Sequence, residues 1–271
     1  MFTVATVNVN GIRAAYRKGM GDWLESTNPD VVLMQEVRAN DEIVANLLGE
    51  DWKVIHQACN VKGRAGVAIA TRQETTAQRI GLPNGLDTGA AEPDVDTGRW
   101  VEADLTLPNG SELTVVSTYI HSGTAGTPKM DQKYAHLDRV TLRLNELMNS
   151  GRHVIVAGDI NIAHTNNDIK NWKGNLKTAG FLPEERAYLD QWFAAGWVDL
   201  ARAQAGDVPG PYTWWSNRGK AFDNDAGWRI DYQLVTPTLA PLASNARVDR
   251  ASSYDTRWSD HAPLLVDYVL D

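Results

Sequence analysis

The chain has one cysteine, no long hydrophobic run and no excess of basic residues, and each shortage excludes a class of protein. Cys59 alone cannot form an intrachain disulfide or a multi-cysteine zinc site, which excludes a secreted disulfide scaffold and fits a reducing cytoplasm. No stretch approaches the ~18 apolar residues of a membrane span, and the first residues lack the pattern of a signal peptide. We therefore expect a cytoplasmic protein that does not bind membranes. The absence of a coiled-coil pattern or an apolar dimer stripe predicts a monomer.

A net charge of −8 argues against coating of nucleic acid through bulk electrostatics, because duplex DNA carries about one negative charge per ~1.7 Å of its axis. Any such contact must come from local basic groups, although each group alone is also explained as solvated surface charge. These groups are Arg13, Arg17 and Lys18; Lys62 and Arg64; Lys170, Lys173 and Lys177; and Arg218 and Lys220.

Short β-rich runs and two amphipathic stretches predict the fold. A chain of 271 residues with 43% hydrophobic residues can bury a large core. The runs that favour strands are 3–10, 30–36, 66–72, 99–107, 112–120, 153–161, 229–236 and 262–270, and helices are predicted over 129–149 and 184–195. With no linker or repeat, we expect a single domain over 1–271: a four-layer α/β sandwich of two packed β-sheets flanked by helices.

The distribution of polar residues indicates which faces of the predicted strands are buried. In 99–107, Val101, Ala103 and Leu105 alternate with Glu102 and Asp104, which predicts one face in the core and one against polar groups. The run VVLM (31–34) is apolar on both faces and needs a second covering layer. The Gly/Pro/Asp-rich segment 81–98 is predicted to be a surface loop, in which Asp94 and Asp96 are solvated.

Polar residues accumulate where the predicted strands end. One carboxylate at such a position is usually a turn former or a cap, but many at once favour a site. The residues are Asn8, Asn10, Gln35, Glu36, Tyr119, Asp159, Asn161, Asp231, Asp260 and His261.

This combination favours hydrolysis of a phosphodiester assisted by Mg²⁺. Carboxylates alone would repel a polyanion, whereas Mg²⁺ binds one or two carboxylates together with a substrate phosphate. Glu36 is the first candidate ligand, and Asn10 and Asp260 are weaker ones. His261 could donate to a phosphate oxygen, with its tautomer fixed by a carboxylate such as Asp231.

Seven ordered motifs then give a resemblance that spans nearly the whole chain. They are NVNGIRA (8–14), LMQEVR (33–38), GDINIAH (158–164), NWKGNLKTAGF (171–181), YTWW (212–215), WRIDY (228–232) and SDHAP (259–263). The sequence resembles exonuclease III-type abasic-site endonucleases of the endonuclease/exonuclease/phosphatase superfamily. The resemblance implies a deoxyribonuclease I-like sandwich with two mostly antiparallel, mixed sheets.

The resemblance also implies roles for the polar residues. Glu36 would bind Mg²⁺, for which Mn²⁺ could substitute, and Asn8 would help to hold the metal-site network. Asp159, positioned with Asn161, would orient or deprotonate water, and Tyr119 would contact the phosphate or the leaving oxygen. Asp231 would pair with His261. Either Asp159 or the Asp231–His261 pair could be the general base, and the sequence leaves both open.

A second implied surface recognises damaged DNA. Trp214, Trp228 and Ile230 match the family's pocket for an extruded deoxyribose, although tryptophans would otherwise be assigned to the core. Contacts to the DNA backbone would come from four residues of one loop, with Arg218 where a DNA-inserting side chain can occur. The four are Lys170, Asn171, Lys173 and Asn175.

Departures from the family pattern concern contacts to DNA. Tyr119 is followed by Ile120, His121 and Ser122 instead of V-P-N, so that His121 or Ser122 would replace an amide contact to phosphate. Thr178 replaces an asparagine of some relatives, and Arg38 replaces a common lysine.

We therefore expect a Mg²⁺-dependent DNA-repair phosphodiesterase that cuts 5′ to abasic sites and trims 3′ ends, with double-stranded DNA as its partner. The alternative is a phosphatase or phospholipase of the same superfamily that acts on inositol phosphates or sphingolipids. A non-catalytic DNA-binding module is a third hypothesis, disfavoured because the whole set of polar site residues is present.

Overall fold

Two six-stranded β-sheets make up the centre of the molecule. The computed structural model describes residues 1–82, 92–107 and 109–270. The strands are β1 (Phe2–Asn8), β2 (Val31–Gln35), β3 (Lys53–Gln57), β4 (Val67–Thr71), β5 (Glu74–Ile80), β6 (Trp100–Thr106), β7 (Glu112–Tyr119), β8 (His153–Asp159), β9 (Val198–Asp199), β10 (Asp231–Val235), β11 (Ala243–Val248) and β12 (Leu264–Tyr268).

Each sheet is mixed, with one parallel pair at its centre. The first sheet has the order β11-β12-β1-β2-β4-β3 and the second has the order β5-β6-β7-β8-β10-β9. β1 pairs with β2 and β7 pairs with β8 in parallel, and the other neighbours are antiparallel. Parallel neighbours end at the same edge of a sheet, so these two pairs place four strand ends together.

The main core fills the space between the two sheets. Val31 and Leu33 of β2 point into this core with Val101, Ala103 and Leu105 of β6. The alternate residues of β2, Val32 and Met34, pack instead against the helices on the outer face. The prediction that VVLM is covered on both faces is therefore confirmed.

Helices cover the outer faces. They are α1 (Ile12–Arg17), α2 (Met20–Thr27), α3 (Asp41–Leu48), α4 (Pro128–Asn149), α5 (Pro183–Ala194) and α6 (Leu200–Ala205). α4 begins with Thr127 as N-cap and Pro128 in the first turn, both of which favour a helix start. Its stripe of Leu137, Val140 and Leu144 packs on the outer face of the second sheet. The four-layer α/β sandwich is confirmed.

All eight predicted strands and both predicted helices are present, each within a few residues of the expected bounds. β3, β5, β9 and β11 and the four short helices were not predicted. The polar face of β6 meets arginines: Glu102 pairs with Arg79 and Arg143, and Asp104 pairs with Arg79 and Arg152.

The segment 81–98 differs from the prediction where it is described. Residues 83–91 lie outside the described residues. Asp94–Asp96 form a 3-10 turn, and Asp96 is buried rather than solvated. The Asp96 carboxylate pairs with His121 and Arg139, which explains its burial. Among the described residues, no helix is both long enough and apolar enough to cross a membrane.

Candidate active site

The strand ends that carry the predicted polar residues meet at one edge of the sandwich. The register of β1 with β2 pairs Asn8 with Gln35, directly before Glu36. The register of β7 with β8 pairs Tyr119 with Asp159, and that of β10 with β8 pairs Asp231 with Asp159. Residues from 8 to 231 in the sequence thus reach one site through strand pairing.

Unusual backbone conformations direct these side chains. Asn10, Glu36 and Asn161 have φ values of 47°, 49° and 54°, in the left-handed region that asparagine tolerates and glutamate rarely adopts. Glu36 is held there because Gly11 N donates to its carbonyl at 2.8 Å. A Cβ on Gly158 would lie 1.9 Å from the Thr118 carbonyl oxygen, so only glycine allows β8 to present Asp159 here.

Asn8 is the centre of a network of hydrogen bonds. Its Nδ2 donates to Glu36 Oε1 and to Asp159 Oδ2, both at 2.9 Å, and its Oδ1 accepts from Asn10 N at 3.0 Å. Tyr119 OH also donates to Glu36 Oε1, at 2.8 Å, while Arg38 pairs with Glu36 Oε2. Both N–H donors of the buried Asn8 amide are thus used, one on Glu36 and one on Asp159.

A buried His261 lies between two carboxylates. Its Nδ1 is 2.8 Å from Asp231 Oδ2, and its Nε2 is 3.7 Å from Asp159 Oδ2. Burial lowers the pKa of His261, but Asp231 and Asp159 outweigh burial and raise that pKa above its usual range. Burial, with repulsion from Asp231, raises the pKa of Asp159. The group is therefore a cationic imidazole beside a carboxylate whose affinity for protons is increased.

Asn10 and Asp260 form a second polar pair across the site. Asn10 Nδ2 donates to Asp260 Oδ1 at 2.9 Å, and Trp214 Nε1 donates to Asp260 Oδ2 at 3.1 Å. Burial favours the neutral Asp260, but His261 and these two donors prevail and lower the pKa of Asp260. Asp260 is thus an anion at neutral pH.

Two neighbouring groups of residues are suited to a divalent cation. Glu36, Asn10 and Asp260 line the same cleft and offer only oxygen atoms, the ligands that Mg²⁺ and Mn²⁺ prefer. Asp159, Asp231 and His261 each offer one potential ligand atom, and these atoms lie within 4.8 Å of one another. This second group is buried and is also consistent with a metal site.

Most of these polar residues form one wall of an open cleft of about 780 Å³, and Asn8 and Asp231 are buried behind that wall. Trp214, Trp228 and Ile230 form an apolar patch beside them, with the two indole rings edge to face and 6.1 Å apart. Both tryptophans are partly exposed in the cleft, which corrects their default assignment to the core. The predicted pocket residues therefore share one cleft with most of the predicted site residues, and Asn8 and Asp231 contact its lining from behind.

The predicted backbone-binding residues lie outside this cleft. Lys170, Asn171 and Lys173 are exposed on the loop that leads to the cleft residues Lys177 and Thr178. Asn175 Nδ2 donates to the Asn171 carbonyl at 2.9 Å and shapes this loop. Arg218 is exposed on the separate loop that follows Trp215.

A basic groove lies next to the cleft. It has a volume of about 360 Å³, no acidic residue among those described lines it, and Arg38 borders both the groove and the cleft. The other cations of the groove are Arg13, Lys62 and Arg64, which come from two of the basic groups singled out in the sequence. The chain thus concentrates positive charge locally despite its negative net charge.

The departures from the family pattern have different outcomes. Ser122 and Thr178 line the cleft, and so can meet a substrate there. The His121 imidazole instead faces Asp96, with its Nε2 2.5 Å from Asp96 Oδ1. Of the two substitutes expected after Tyr119, only Ser122 is placed for contact.

Sequence reasoning missed a buried ion pair, Lys133–Glu185, beneath the cleft. Lys133 Nζ donates to the Asn161 carbonyl at 2.9 Å, and Glu185 Oε2 accepts from Gly180 N at 2.6 Å. A Cβ on Gly180 would lie 3.1 Å from both the Asn161 carbonyl oxygen and Trp228. The ion pair therefore connects the strand end that carries Asp159 and Asn161 to the apolar patch. Its signal in the sequence was a lysine on the apolar stripe of α4.

Comparison with known proteins identifies relatives over the full length of the chain. The model of the Endonuclease/Exonuclease/phosphatase family matches residues 5–261. The chain is 32% identical over 258 residues to the exodeoxyribonuclease of Bacillus subtilis (strain 168), an alignment that covers 95% of each protein. It is 30% identical over 274 residues to exodeoxyribonuclease III of Haemophilus influenzae, covering 96% of this chain and 97% of that one.

Solved structures agree with the fold. An AP endonuclease from Archaeoglobus fulgidus superposes with a TM-score of 0.83 at 26% identity and covers 99% of both chains. The Neisseria 3′ phosphatase NExo, solved with a product DNA hairpin, superposes with a TM-score of 0.82 at 24% identity and covers 99% of this chain and all of that one. The resemblance read from the seven motifs is confirmed.

Proposed function

Since the chain belongs to the Endonuclease/Exonuclease/phosphatase family, we propose that it is a Mg²⁺-dependent DNA-repair phosphodiesterase. It hydrolyses the backbone 5′ to abasic sites and removes nucleotides or blocking groups from 3′ ends. We further propose that it acts as a monomer in the cytoplasm on double-stranded DNA. Mn²⁺ is a possible substitute for Mg²⁺.

One observation carries the proposal: the polar strand ends and the apolar patch face the same cleft. Asp159 and His261 line it together with Trp214, Trp228 and Ile230. An abasic deoxyribose has lost its base, so it can enter an apolar pocket too small for an intact nucleotide. Its 5′ phosphate would then lie against the polar wall, where hydrolysis must occur.

The electrostatics of the site divide the acid and base roles. His261 is held as a cation by Asp231 and donates to a phosphate oxygen. Asp159 takes the proton of the attacking water, because its raised pKa makes it a better base than an ordinary carboxylate. Asn161 N donates to Asp159 Oδ1 at 2.9 Å and holds the carboxylate in place. We therefore favour Asp159 over the Asp231–His261 pair as the base.

Tyr119 completes this polar wall. Burial and the charges of Glu36 and Asp159 raise the pKa of Tyr119 well above its usual value, so the phenol remains protonated. Its hydroxyl faces Glu36 and can donate to the phosphate or to the leaving oxygen. Glu36, Asn10 and Asp260 would hold Mg²⁺. When bound, this ion supplies positive charge that offsets the charge on the phosphate and on the departing oxygen.

The basic groove and two exposed loops around the cleft would bind the phosphates of the duplex. The groove of Arg13, Arg38, Lys62 and Arg64, in which Arg38 also lines the cleft, and the loop of Lys170, Asn171, Lys173 and Asn175 flank the proposed catalytic cleft. Contacts from such groups to phosphates position DNA without reading its sequence. Arg218, exposed on a third loop, would contact or enter the duplex beside the abasic site.

The test is a panel of substrates with Mg²⁺ or with EDTA. It contains a labelled duplex with one tetrahydrofuran abasic analogue, an intact duplex, an inositol polyphosphate and sphingomyelin vesicles. Metal-dependent incision of the first duplex supports the proposal, and shortening of the second supports the 3′ activity. Turnover of only the inositol phosphate or the lipid would refute it in favour of the alternative read from the sequence.

A further inference from the structure

Arg99 is a buried cation directly behind the catalytic edge. It precedes β6 and is only 9% exposed. Its Nε donates to the Val95 carbonyl at 3.0 Å, and its Nη1 donates to the Tyr119 carbonyl at 3.3 Å. In the described part of the chain, no carboxylate lies within ion-pair distance of this guanidinium.

The partner of Arg99 is Tyr119. The guanidinium carbon lies 4.8 Å from the centre of the Tyr119 ring, an arrangement in which the π face attracts the cation. Tyr119 N also donates to the Arg99 carbonyl at 2.9 Å. Arg99 therefore fixes Tyr119 through its ring and through both of its backbone polar groups.

This contact determines where the Tyr119 hydroxyl points. The hydroxyl donates to Glu36 Oε1 at 2.8 Å, and Asn8 donates to the same oxygen. Movement of the ring would thus disturb the proposed Mg²⁺ ligand and the proposed phosphate donor together. Because an arginine side chain stays protonated, the cation over the Tyr119 ring does not depend on pH.

We propose that Arg99 is a positioning residue for the reaction, and that it acts by holding the Tyr119 ring so that the hydroxyl stays directed at Glu36 and the phosphate. The proposal rests on the proposed function for its effect on turnover, but the contact itself exists without a substrate.

A double-mutant cycle tests the effect on turnover. In Arg99→Gln, we expect kcat on the tetrahydrofuran duplex to fall about tenfold with little change in KM, since a buried cation–π contact is worth roughly one factor of ten. Arg99→Lys keeps the charge over the ring and should recover most of this loss. In a Tyr119→Phe background, Arg99→Gln should cost less than about twofold, because the hydroxyl that it positions is absent.

Equal losses in both backgrounds would overturn the proposal, as would a loss confined to KM. Arg139→Gln is the matched control, since Arg139 pairs with the neighbouring Asp96 and lies in the same region. It should leave kcat unchanged. If Arg99→Gln does not fold, Arg99→Met takes its place in both backgrounds, because methionine keeps much of the length of the side chain without its charge.

A spectroscopic test separates this proposal from the proposed function. The chain has eight tyrosines, and in protein labelled with 3-fluorotyrosine the Tyr119→Phe variant identifies the ¹⁹F signal of Tyr119. That signal should shift or broaden in Arg99→Gln and stay unchanged in Arg139→Gln. An unchanged signal in Arg99→Gln overturns the proposal whether or not the protein cleaves DNA. If wild type cleaves no substrate of the panel, the proposed function fails while the signal still decides whether Arg99 positions Tyr119.

Discussion

Replacing Asp231 by asparagine removes the charge that keeps His261 protonated and leaves its hydrogen bond possible. Asp231 Oδ2 lies 2.8 Å from His261 Nδ1, and an asparagine oxygen can accept from the same N–H. Two unit charges about 4 Å apart interact by about 4 kcal/mol at an effective dielectric constant of about 20. This corresponds to a fall in the pKa of His261 of about 3, with Asp159 and Asp260 left as neighbouring carboxylates.

The sign of the pH effect follows from the role of His261. As an acid it must be protonated, so activity is retained below its pKa and is lost as the pH rises through it. Asp231 raises this pKa, and wild type should therefore stay active well into the alkaline range. In Asp231→Asn, the alkaline fall of kcat should begin about 2 to 3 pH units earlier.

The assay is single-turnover cleavage of the tetrahydrofuran duplex from about pH 5 to about pH 10 at saturating Mg²⁺. Asp51→Asn removes an exposed carboxylate from a loop and is the control, whose profile should match wild type. A uniform loss of activity with an unmoved alkaline limb would refute the reasoning, because Asp231 would then orient His261 without keeping it charged.

Three further substitutions separate the other roles. Asp159→Asn should lower turnover by about 10² or more and leave DNA binding nearly intact, as measured by gel shift beside single-turnover rates. Glu36→Gln removes the charge of the first candidate ligand, so a Mg²⁺ titration of activity should move to higher concentration. Trp228→Ala should reduce incision at the abasic analogue more than shortening of 3′ ends, because only incision needs a fitted pocket.

For each of these substitutions, one outcome would contradict the role assigned to the residue. Turnover that survives in Asp159→Asn would make this residue structural and return the base to the Asp231–His261 pair. An unmoved Mg²⁺ titration in Glu36→Gln would assign the ion to other residues, such as the Asp159, Asp231 and His261 group. Equal losses of both activities in Trp228→Ala would remove the case for a pocket.

The layers and the site could be predicted from the sequence because their signals are local. Alternation in β6 and the double-sided VVLM of β2 identify strands and the faces they bury. The candidate carboxylates could be recognised because they directly follow apolar runs that are typical of strands. β5 was missed because it is an exposed edge strand, ETTAQRI, in which apolar and polar residues do not alternate clearly.

Contacts between residues that are far apart in the sequence could not be predicted. Asp96 looked solvated because its loop is polar, yet inside the protein it pairs with the charged Arg139 and contacts the His121 imidazole. Lys133 and Glu185 are 52 residues apart, and only the packing of α4 against α5 joins them. Arg99 drew no attention for the same reason, since its contact with Tyr119 depends on the pairing of β6 with β7. The extent of the domain and the roles of individual site residues stay predictions.

The measurement closest to the central claim is the position and chemistry of incision on the tetrahydrofuran duplex in Mg²⁺. The account predicts a single cut on the 5′ side of the analogue that leaves a 3′ hydroxyl on the upstream fragment, no cut in EDTA, and restored cutting when Mg²⁺ is added back. An intact analogue-bearing strand in Mg²⁺, or cutting that persists in EDTA, would contradict it.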